Sequence, residues 1–452
     1  MVTEYSASAV QPKWVDMPVP AVEFGLSPVP GDVIRVMERI FHAGFDVWLV
    51  GGAIRDLLLK VEPKDWDLAT SAEPEQIIKM FPRVIPVGIR HGTVQVHTKV
   101  RDIEVTSFEP RGPIGILKDL GRRDFTINAL ALSFPDGILI DPHEGRSDIE
   151  KKTIRAVGSA PSRLAEDPLR IVRACRLLSV YGFTVDSGTF DAMRGEAENL
   201  SQISGERIRD ELCKILVSRY PIEGLELLRR SWALGKLLPE LIVRDHVDTI
   251  PGSNISVYRH ALLCVRNSPR RLRVRLAALF HNAGVPATGA RGGKAPGDFS
   301  KESAYTASER MKKWNMSNRQ IEDVVTLIEN QLPADAGLWS DTEIRRFLVR
   351  SRSELLDDFI ALARVKMLAE GQTEVEAVDK LHLRMREQLH TISAFKMEDL
   401  AVDGREIMDV LGISSGPEVG KVLRSLFDLV LEHPGLNTHD SLIEIVKRDF
   451  GR

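Results

Sequence analysis

A chain of 452 residues is long enough to form several domains with ample core. Its formal net charge of −3 excludes an overall basic signature, so any contact with nucleic acid must come from local patches. Three cysteines, Cys175, Cys213 and Cys264, stand in apolar helical-looking contexts without C-x-x-C spacing and read as reduced core thiols, which suits the cytoplasm; no signal peptide or long uncharged apolar run points to secretion or to a membrane.

Residues 1–31 carry Pro18, Pro20, Pro28 and Pro30 and no periodicity, and are expected to form a flexible lead-in. Asp32 is placed to cap an amphipathic helix with Val33, Val36, Met37 and Ile40 on one stripe. The apolar run Val47 to Val50 predicts a strand ending at Gly51 and Gly52. There the missing Cβ lets backbone N–H groups approach a phosphate before a helix of Ala53 to Leu59, with Arg55 in its first turn. Asp65 and Asp67 follow in the next strand. Residues two apart share one face of a strand, so the two carboxylates sit side by side while Trp66 points away. Left alone they would repel and one would take up a proton; a divalent cation neutralises both, and Mg²⁺ is the ion implied. Taken singly, a Gly-Gly pair is an ordinary turn and D-x-D an ordinary solvated strand end. Together, with an arginine between them in one short βαβ-like unit, they read as a nucleotide and metal site.

Glu73 to Phe81 reads as a helix, and Gly92 to Thr98 and Asp102 to Phe108 alternate as two strands joined by a Lys-Val-Arg turn. Glu104, Thr106 and Phe108 share a face; Glu104 is either a third carboxylate near the metal or an exposed strand residue, the second reading being slightly favoured. GRRDFTINALAL, Gly121 to Leu132, sets two arginines and Asp124 before an expected helix of Thr126 to Leu132, a pattern suited to phosphate neutralisation, with Asn128 able to bond a ribose or backbone group. In RLAEDPLRIVRACR, Arg163 to Arg176, the residues Asp167, Arg170 and Arg173 fall at helical spacing down one face, either as a salt-bridge ladder or as a recognition row. Local basic patches occur in this segment, in RRLRVR (Arg270 to Arg275) and in RRFLVRSR (Arg345 to Arg352).

WLVGGAIRDLLLKVEPKDWDLAT, GRRDFTINALAL, DPHEGRSDI, RLAEDPLRIVRACR and GERIRDEL, in that order, resemble the five motifs of the class II tRNA nucleotidyltransferases, the bacterial CCA-adding enzymes and their poly(A) polymerase relatives. The resemblance spans nearly all of Gly31 to Arg452. It implies an α+β protein: a polymerase β-like nucleotidyltransferase head with a mixed sheet over residues 32–150, followed by all-α neck (151–245), body (246–375) and tail (376–452). It further implies addition of C, with A addition left open, from CTP and ATP to a tRNA 3′ end without a nucleic-acid template. Asp65 and Asp67 are expected to hold two Mg²⁺ ions, one activating the terminal 3′-hydroxyl for in-line attack on the α-phosphate. The other, with Arg123, Arg173 and backbone at Gly52, is expected to stabilise the leaving pyrophosphate. Asp167 and Arg170 are the expected base readers, presenting acceptors and donors as a Watson–Crick edge does; Arg173 and Arg176 are expected to face the triphosphate. DPHEGRSDI is expected to be a structural turn and GERIRDEL a neck helix supporting the base-reading helix.

Three downstream stretches refine this expectation. From about Val257 the chain resembles an HD-type helical region, but His281 is followed by Asn282 where that pattern has an aspartate, so a scaffold without phosphohydrolase activity is expected. Gly289 to Asp298 lacks the ending of a phosphate loop and is expected to be a mobile connector, and the Gly-Pro turn before Gly420 in the tail reads either as a turn that accepts RNA phosphates or as a plain helix-turn-helix packing unit. Only EPRGPIGIL separates Phe108 from Lys118, whereas CCA-adding members carry a much longer flexible loop that helps reshape the pocket from C to A. Its shortness favours a CC-adding enzyme whose product a separate A-adding enzyme completes. A poly(A) polymerase is the alternative, and a non-catalytic RNA-binding relative a remote one.

Overall fold

The structure, a computed structural model, describes residues 21–88, 92–242, 256–284, 299–333, 335–371 and 376–451. The expected connector at Gly289 to Asp298 and the first twenty residues of the lead-in lie outside these. Part of the lead-in is ordered: Ala21–Glu23 (β1) is a strand antiparallel to Ile138–Ile140. Helix α1 (Gly31–His42) buries Val33, Val36, Met37 and Ile40, as an amphipathic stripe must. Its N-cap is Pro30 rather than Asp32. The Asp32 carboxylate lies two residues further in, within the first turn, where it accepts from Arg101 Nε at 2.9 Å, and the ion pair outcompetes capping.

The head continues as β2 (Val47–Val50), α2 (Gly52–Leu58), β3 (Trp66–Thr70), α3 (Pro74–Met80), β4 (Val84–Gly88), β5 (Thr93–His97), β6 (Asp102–Ser107), α4 (Pro113–Leu120), β7 (Ala131–Ser133) and β8 (Ile138–Ile140). These strands form one mixed sheet in the order β1-β8-β7-β2-β3-β6-β5-β4. All four residues of β2 are buried, as a central strand covered on both faces requires. The strand–helix–strand unit is no parallel crossover: β2 and β3 are antiparallel neighbours with Val50 opposite Asp67, and β3 runs parallel to β6 with Asp67 opposite Glu104. The expected helix of Thr126 to Leu132 is a single 3₁₀ turn, Thr126–Asn128, followed by β7. Ala131–Ser133 pairs with β2, and the ladder and full burial on the sheet override the local helical pattern. Trp48, Val50, Phe108, Ile116, Leu120 and Val157 are among the residues that close the core here.

After the head come α5 (Gly145–Glu150), β9 (Thr153–Ile154), α6 (Ala160–Glu166), α7 (Leu169–Tyr181), β10 (Thr184–Val185), α8 (Ser187–Glu196), α9 (Gly205–Leu216), α10 (Pro221–Arg230) and α11 (Leu234–Leu237). The segment Arg163 to Arg176 is thus two helices, because Pro168 cannot continue α6 and pushes Asp167 into extended backbone at φ −150°. Asp167 therefore precedes the helix that carries Arg170 and Arg173.

The chain divides into two compact units, Met1–Ile203 with Glu223–Leu237, and Ser204–Ile222 with Leu238–Arg452. GERIRDEL, on α9, belongs to the second unit and packs on the body there. Arg209 donates to Asn315 O at 2.8 Å, and a Cβ on Gly205 would lie 1.9 Å from Lys313 O.

The second unit adds α12 (Val257–Asn267), α13 (Leu272–Phe280), α14 (Ser300–Lys313), α15 (Asn318–Glu329), α16 (Asp341–Arg350), α17 (Leu356–Ala369), α18 (Glu376–Thr391), α19 (Gly404–Leu411), α20 (Pro417–Glu432) and α21 (His439–Phe450). In each of its two basic runs one arginine is buried, Arg275 and Arg345, and the others lie toward the surface. Arg271 and Arg273 both pair with Asp358, which is 1% exposed. Buried Arg275 donates to the carbonyls of Leu216, Ser218, Ser268 and Pro269. Arg345, also buried, holds the carbonyls of Leu431 and Glu432. Among the described residues no helix is long and apolar enough to cross a membrane.

Candidate active site

The site is built where β2 ends against β3. Gly51 takes φ 77°, in the left-handed region that favours glycine, and turns the chain into α2. A Cβ there would lie 2.8 Å from Arg123 Nη1 and 3.4 Å from Asp67 Oδ2, so the glycine's open side faces both a guanidinium and a carboxylate. Asp65 is exposed just before β3, and Asp67 is half-buried within it. Burial, followed by the charge of Glu104 on the neighbouring strand and then that of Asp65, pushes Asp67 up to about 6, against the opposing charges of Arg123 and Arg173. Three carboxylates thus share one neighbourhood. Glu104 is exposed on β6, as favoured, yet its place in register with Asp67 also makes it part of this anionic cluster. Hard carboxylate oxygens crowded in this way are a fitting donor set for a hard divalent cation.

Two arginines expected to meet phosphate stand beside the carboxylates, each held by an acid. Asp119 accepts from Arg123 Nε at 3.2 Å and Nη2 at 3.1 Å. Asp124 accepts from Arg173 Nε at 2.8 Å, with Nη2 at 2.6 Å. Burial alone would raise the Asp124 carboxyl; the charge of Arg173 and bonds from Asn128, Arg173 and the Phe125 N–H overcome it and hold the group down at about 2. Asp124 therefore orients Arg173 from the protein interior. Asn128 continues inward, donating to Asp124 Oδ1 at 3.0 Å and accepting from Arg55 Nη1 at 2.5 Å.

Arg55 is buried, paired with Asp56 at 2.8 Å and stacked 4.4 Å from the centroid of the Tyr181 ring, while Tyr181 OH donates to Asp56 Oδ1 at 2.7 Å. Burial pushes that phenol up to about 12, opposed by the charges of Arg55 and Arg176. A cross-linked chain of polar groups, Tyr181–Asp56–Arg55–Asn128–Asp124–Arg173, thus runs beneath the glycine turn from α2 to α7. Asp56, Asp119 and Tyr181 were not singled out from sequence. Asp119 had a readable signal in its i,i+4 spacing to Arg123; Tyr181 had none.

At the start of α7, Asp167 Oδ1 accepts from Leu169 N at 3.3 Å. Arg170 donates to the carbonyls of Arg163 at 2.6 Å and Arg122 at 3.0 Å, and to Glu166 at 3.1 Å. Its guanidinium is thereby fixed against the segment that carries Arg123. DPHEGRSDI forms the expected turn: Asp141 accepts from Gly145 N and Arg146 N at 2.7 and 2.9 Å.

Comparison with known proteins follows the same layout. Residues 47–155 match the poly(A) polymerase head domain, 182–243 the RNA and SrmB-binding site of polymerase A, and 301–446 domain 2 of tRNA nucleotidyltransferase. The CCA-adding enzyme of Lactococcus lactis subsp. cremoris MG1363 is 30% identical over 446 residues, 94% of this chain and 98% of its own length. That of Geobacillus thermodenitrificans is 30% identical over 421 residues, 90% and 94% respectively. The crystal structure of the Bacillus stearothermophilus CCA-adding enzyme in complex with CTP has a TM-score of 0.72 at 26% identity and covers 92% of this chain and 96% of that one. The Thermotoga maritima CCA-adding enzyme complexed with tRNA shares the fold, with a TM-score of 0.58 at 20% identity, over 94% of this chain and 97% of that one.

A mixed-sheet head with adjacent carboxylates, a glycine turn and flanking arginines defines a nucleotidyltransferase, a class that works with a divalent metal. The extent of the match carries this further. The chain belongs to the CCA-adding enzyme family, the class II tRNA nucleotidyltransferases.

Proposed function

We propose that this tRNA nucleotidyltransferase adds C residues from CTP to a tRNA 3′ end that lacks CCA, and leaves the final A to a separate enzyme. The connection between β6 and α4 carries this reading, because it is short and tied down. Gly112 N donates to Asp46 Oδ2 at 2.9 Å, and the Arg111 guanidinium lies 4.8 Å from the centroid of the Phe45 ring. A Cβ on Gly115 would lie 1.7 Å from Pro110 O and 2.6 Å from the Phe108 ring, so the start of α4 sits directly on the connection. A segment held in this way leaves no long loop to reshape the pocket for A. The names of the relatives, CCA-adding enzymes, favour the rival reading of complete CCA addition.

Asp65 and Asp67, with Glu104 beside them, are the residues proposed to hold Mg²⁺ in a two-metal arrangement. When bound there, Mg²⁺ supplies Lewis-acid activation of the RNA 3′-hydroxyl and neutralises charge on the transferring phosphate. Arg123, steadied by Asp119, and Arg173, steadied by Asp124, set positive charge where pyrophosphate departs. Gly51 and Gly52 leave room for the triphosphate, with Arg55 and Asn128 bracing the turn from behind. Asp167 and Arg170 read the base, Arg176 adds charge along α7, and the tail over residues 376–452 holds the tRNA.

The test is to incubate purified protein and Mg²⁺ with tRNA lacking CCA, supplying CTP alone, ATP alone or both, and to resolve products at single-nucleotide length. Two C residues that stay unextended with both nucleotides are the expected result. Completion to CCA overturns the proposed specificity while keeping the family chemistry, and long A tails from ATP alone move the enzyme to the poly(A) polymerase branch.

A further inference from the structure

Outside the head, one cluster of side chains in the body has no part in nucleotide transfer. His260 and Cys264 stand four residues apart on α12, hence on one helix face, and His281 caps the C-terminus of α13. All three are buried. One donor atom from each lies within 4.8 Å of the others: Cys264 Sγ is 3.6 Å from His260 Nδ1, and the two imidazole rings are 5.0 Å apart at 47°. Both histidines are 1% exposed; His281 Nε2 has no hydrogen-bond partner among the described residues, and His260 Nε2 faces the Glu370 carboxylate at 3.8 Å. An unpaired nitrogen such as His281 Nε2 in a dry core costs about 1–3 kcal/mol, and native proteins rarely carry that cost without a reason. His281 Nδ1 meets Ala278 O at 2.9 Å, which assigns the proton to Nδ1 and leaves the Nε2 lone pair for another partner.

We propose that His260, Cys264 and His281 bind a borderline transition-metal cation of the Zn²⁺ class as a structural site of the body. Two imidazoles and a thiolate suit such an ion and not Mg²⁺ or Ca²⁺, which want oxygen. Glu370, at the end of α17, reaches within 3.8 Å of His260 Nε2 and supplies a fourth donor from the half-exposed rim of the cluster. Asn282, whose Nδ2 lies 3.4 Å from His260 Nδ1, adds no anion, so the site is suited to holding an ion and not to hydrolysis. Burial holds the His281 imidazole in its neutral, ligating form, with the charges of His260 and Lys366 acting in the same sense. Burial also raises the Cys264 thiol, so binding must release its proton to the solvent. The thiolate and the Glu370 carboxylate then balance the ion's two charges. Lys366 opposes the cation, and its ammonium is drawn toward Gln331 Oε1 at 2.5 Å.

The test uses the full chain, stripped of metal with EDTA in a thiol-free reductant and titrated with Co²⁺. The expected result is one Co²⁺ per chain giving a thiolate-to-cobalt charge-transfer band, which the carboxylates of the head cannot produce, and a raised melting temperature with Zn²⁺. Cys264→Ser should abolish the band, and His281→Gln should weaken Zn²⁺ binding by more than the roughly 10–100-fold typical of a residue that merely positions a ligand. Circular dichroism of each variant separates loss of the site from loss of fold. A wild-type protein without the band, a band retained in Cys264→Ser, or unchanged Zn²⁺ affinity in a folded His281→Gln variant overturns the assignment.

Discussion

Replacing Asp67 by asparagine should make the metal-free enzyme more stable while removing its activity. The Asp67 carboxyl is raised from the ordinary 3.8 to about 6, first by burial and then by Glu104. At about 1.4 kcal/mol per pH unit, ionising it in the folded state costs at most about 3 kcal/mol, and local relaxation brings the expected gain of Asp67→Asn to about 1–3 kcal/mol. The sign follows from the direction of the shift. Well below 3.8 the carboxyl is protonated in folded and unfolded chains and the cost vanishes; it grows as pH rises from 3.8 to about 6 and is complete above that. Urea unfolding in EDTA at pH 8 should therefore show the variant more stable than wild type, and the difference should shrink steadily as pH is lowered from 6 toward 3.8. With Mg²⁺ present the order should narrow or reverse, because only wild type gains binding energy. A variant less stable than wild type at pH 8 in EDTA, or a difference independent of pH, would refute the argument that the carboxylate cluster is destabilised until a cation arrives.

Asp65→Ala should lower nucleotide incorporation by roughly 1,000-fold or more with an unchanged circular dichroism spectrum; near wild-type turnover would contradict the metal assignment. Asp124→Asn removes the buried carboxylate that holds Arg173, which is itself part-exposed, and should cost about 1–2.5 kcal/mol at neutral pH. In wild type that pair's contribution is present above pH 4 and is lost as pH falls toward 2, which acid unfolding compared with the variant would reveal. The body should release no phosphate from 2′,3′-cyclic nucleotides with any added divalent metal; release that survives Asp65→Ala would overturn the scaffold reading of the region around Asn282.

Much of the head was legible because its signals are local. The stripe of α1, the buried run of β2, the alternation of β5 and β6, and the D-x-D at β3 each follow from side-chain periodicity. What failed depended on partners distant in sequence. The stretch after Asn128 has helical composition but joins β2 across the sheet, and Asp32 meets Arg101 instead of capping its helix. The break at Pro168 could have been read from proline's effect on the preceding residue, which takes Asp167 off the helical face. The arginines of the body misled in the opposite way: a sequence shows positive charge but not the buried carboxylates and carbonyls that answer it.

Those internally matched arginines bear on how the enzyme meets RNA. Each cation that neutralises a backbone phosphate displaces condensed counterions, and each such contact steepens the dependence of affinity on salt by roughly 0.7–0.9 in a log–log plot. Arg275 and Arg345 are buried against main-chain carbonyls and have little charge left for a polyanion, while Arg271 and Arg273 face Asp358 from the surface. On a chain of net charge −3, RNA binding should therefore show a shallow salt slope and little affinity for arbitrary RNA. Discrimination would then rest on the shape of the folded acceptor, and an enzyme selecting this way can work among abundant cellular RNA without being sequestered by it.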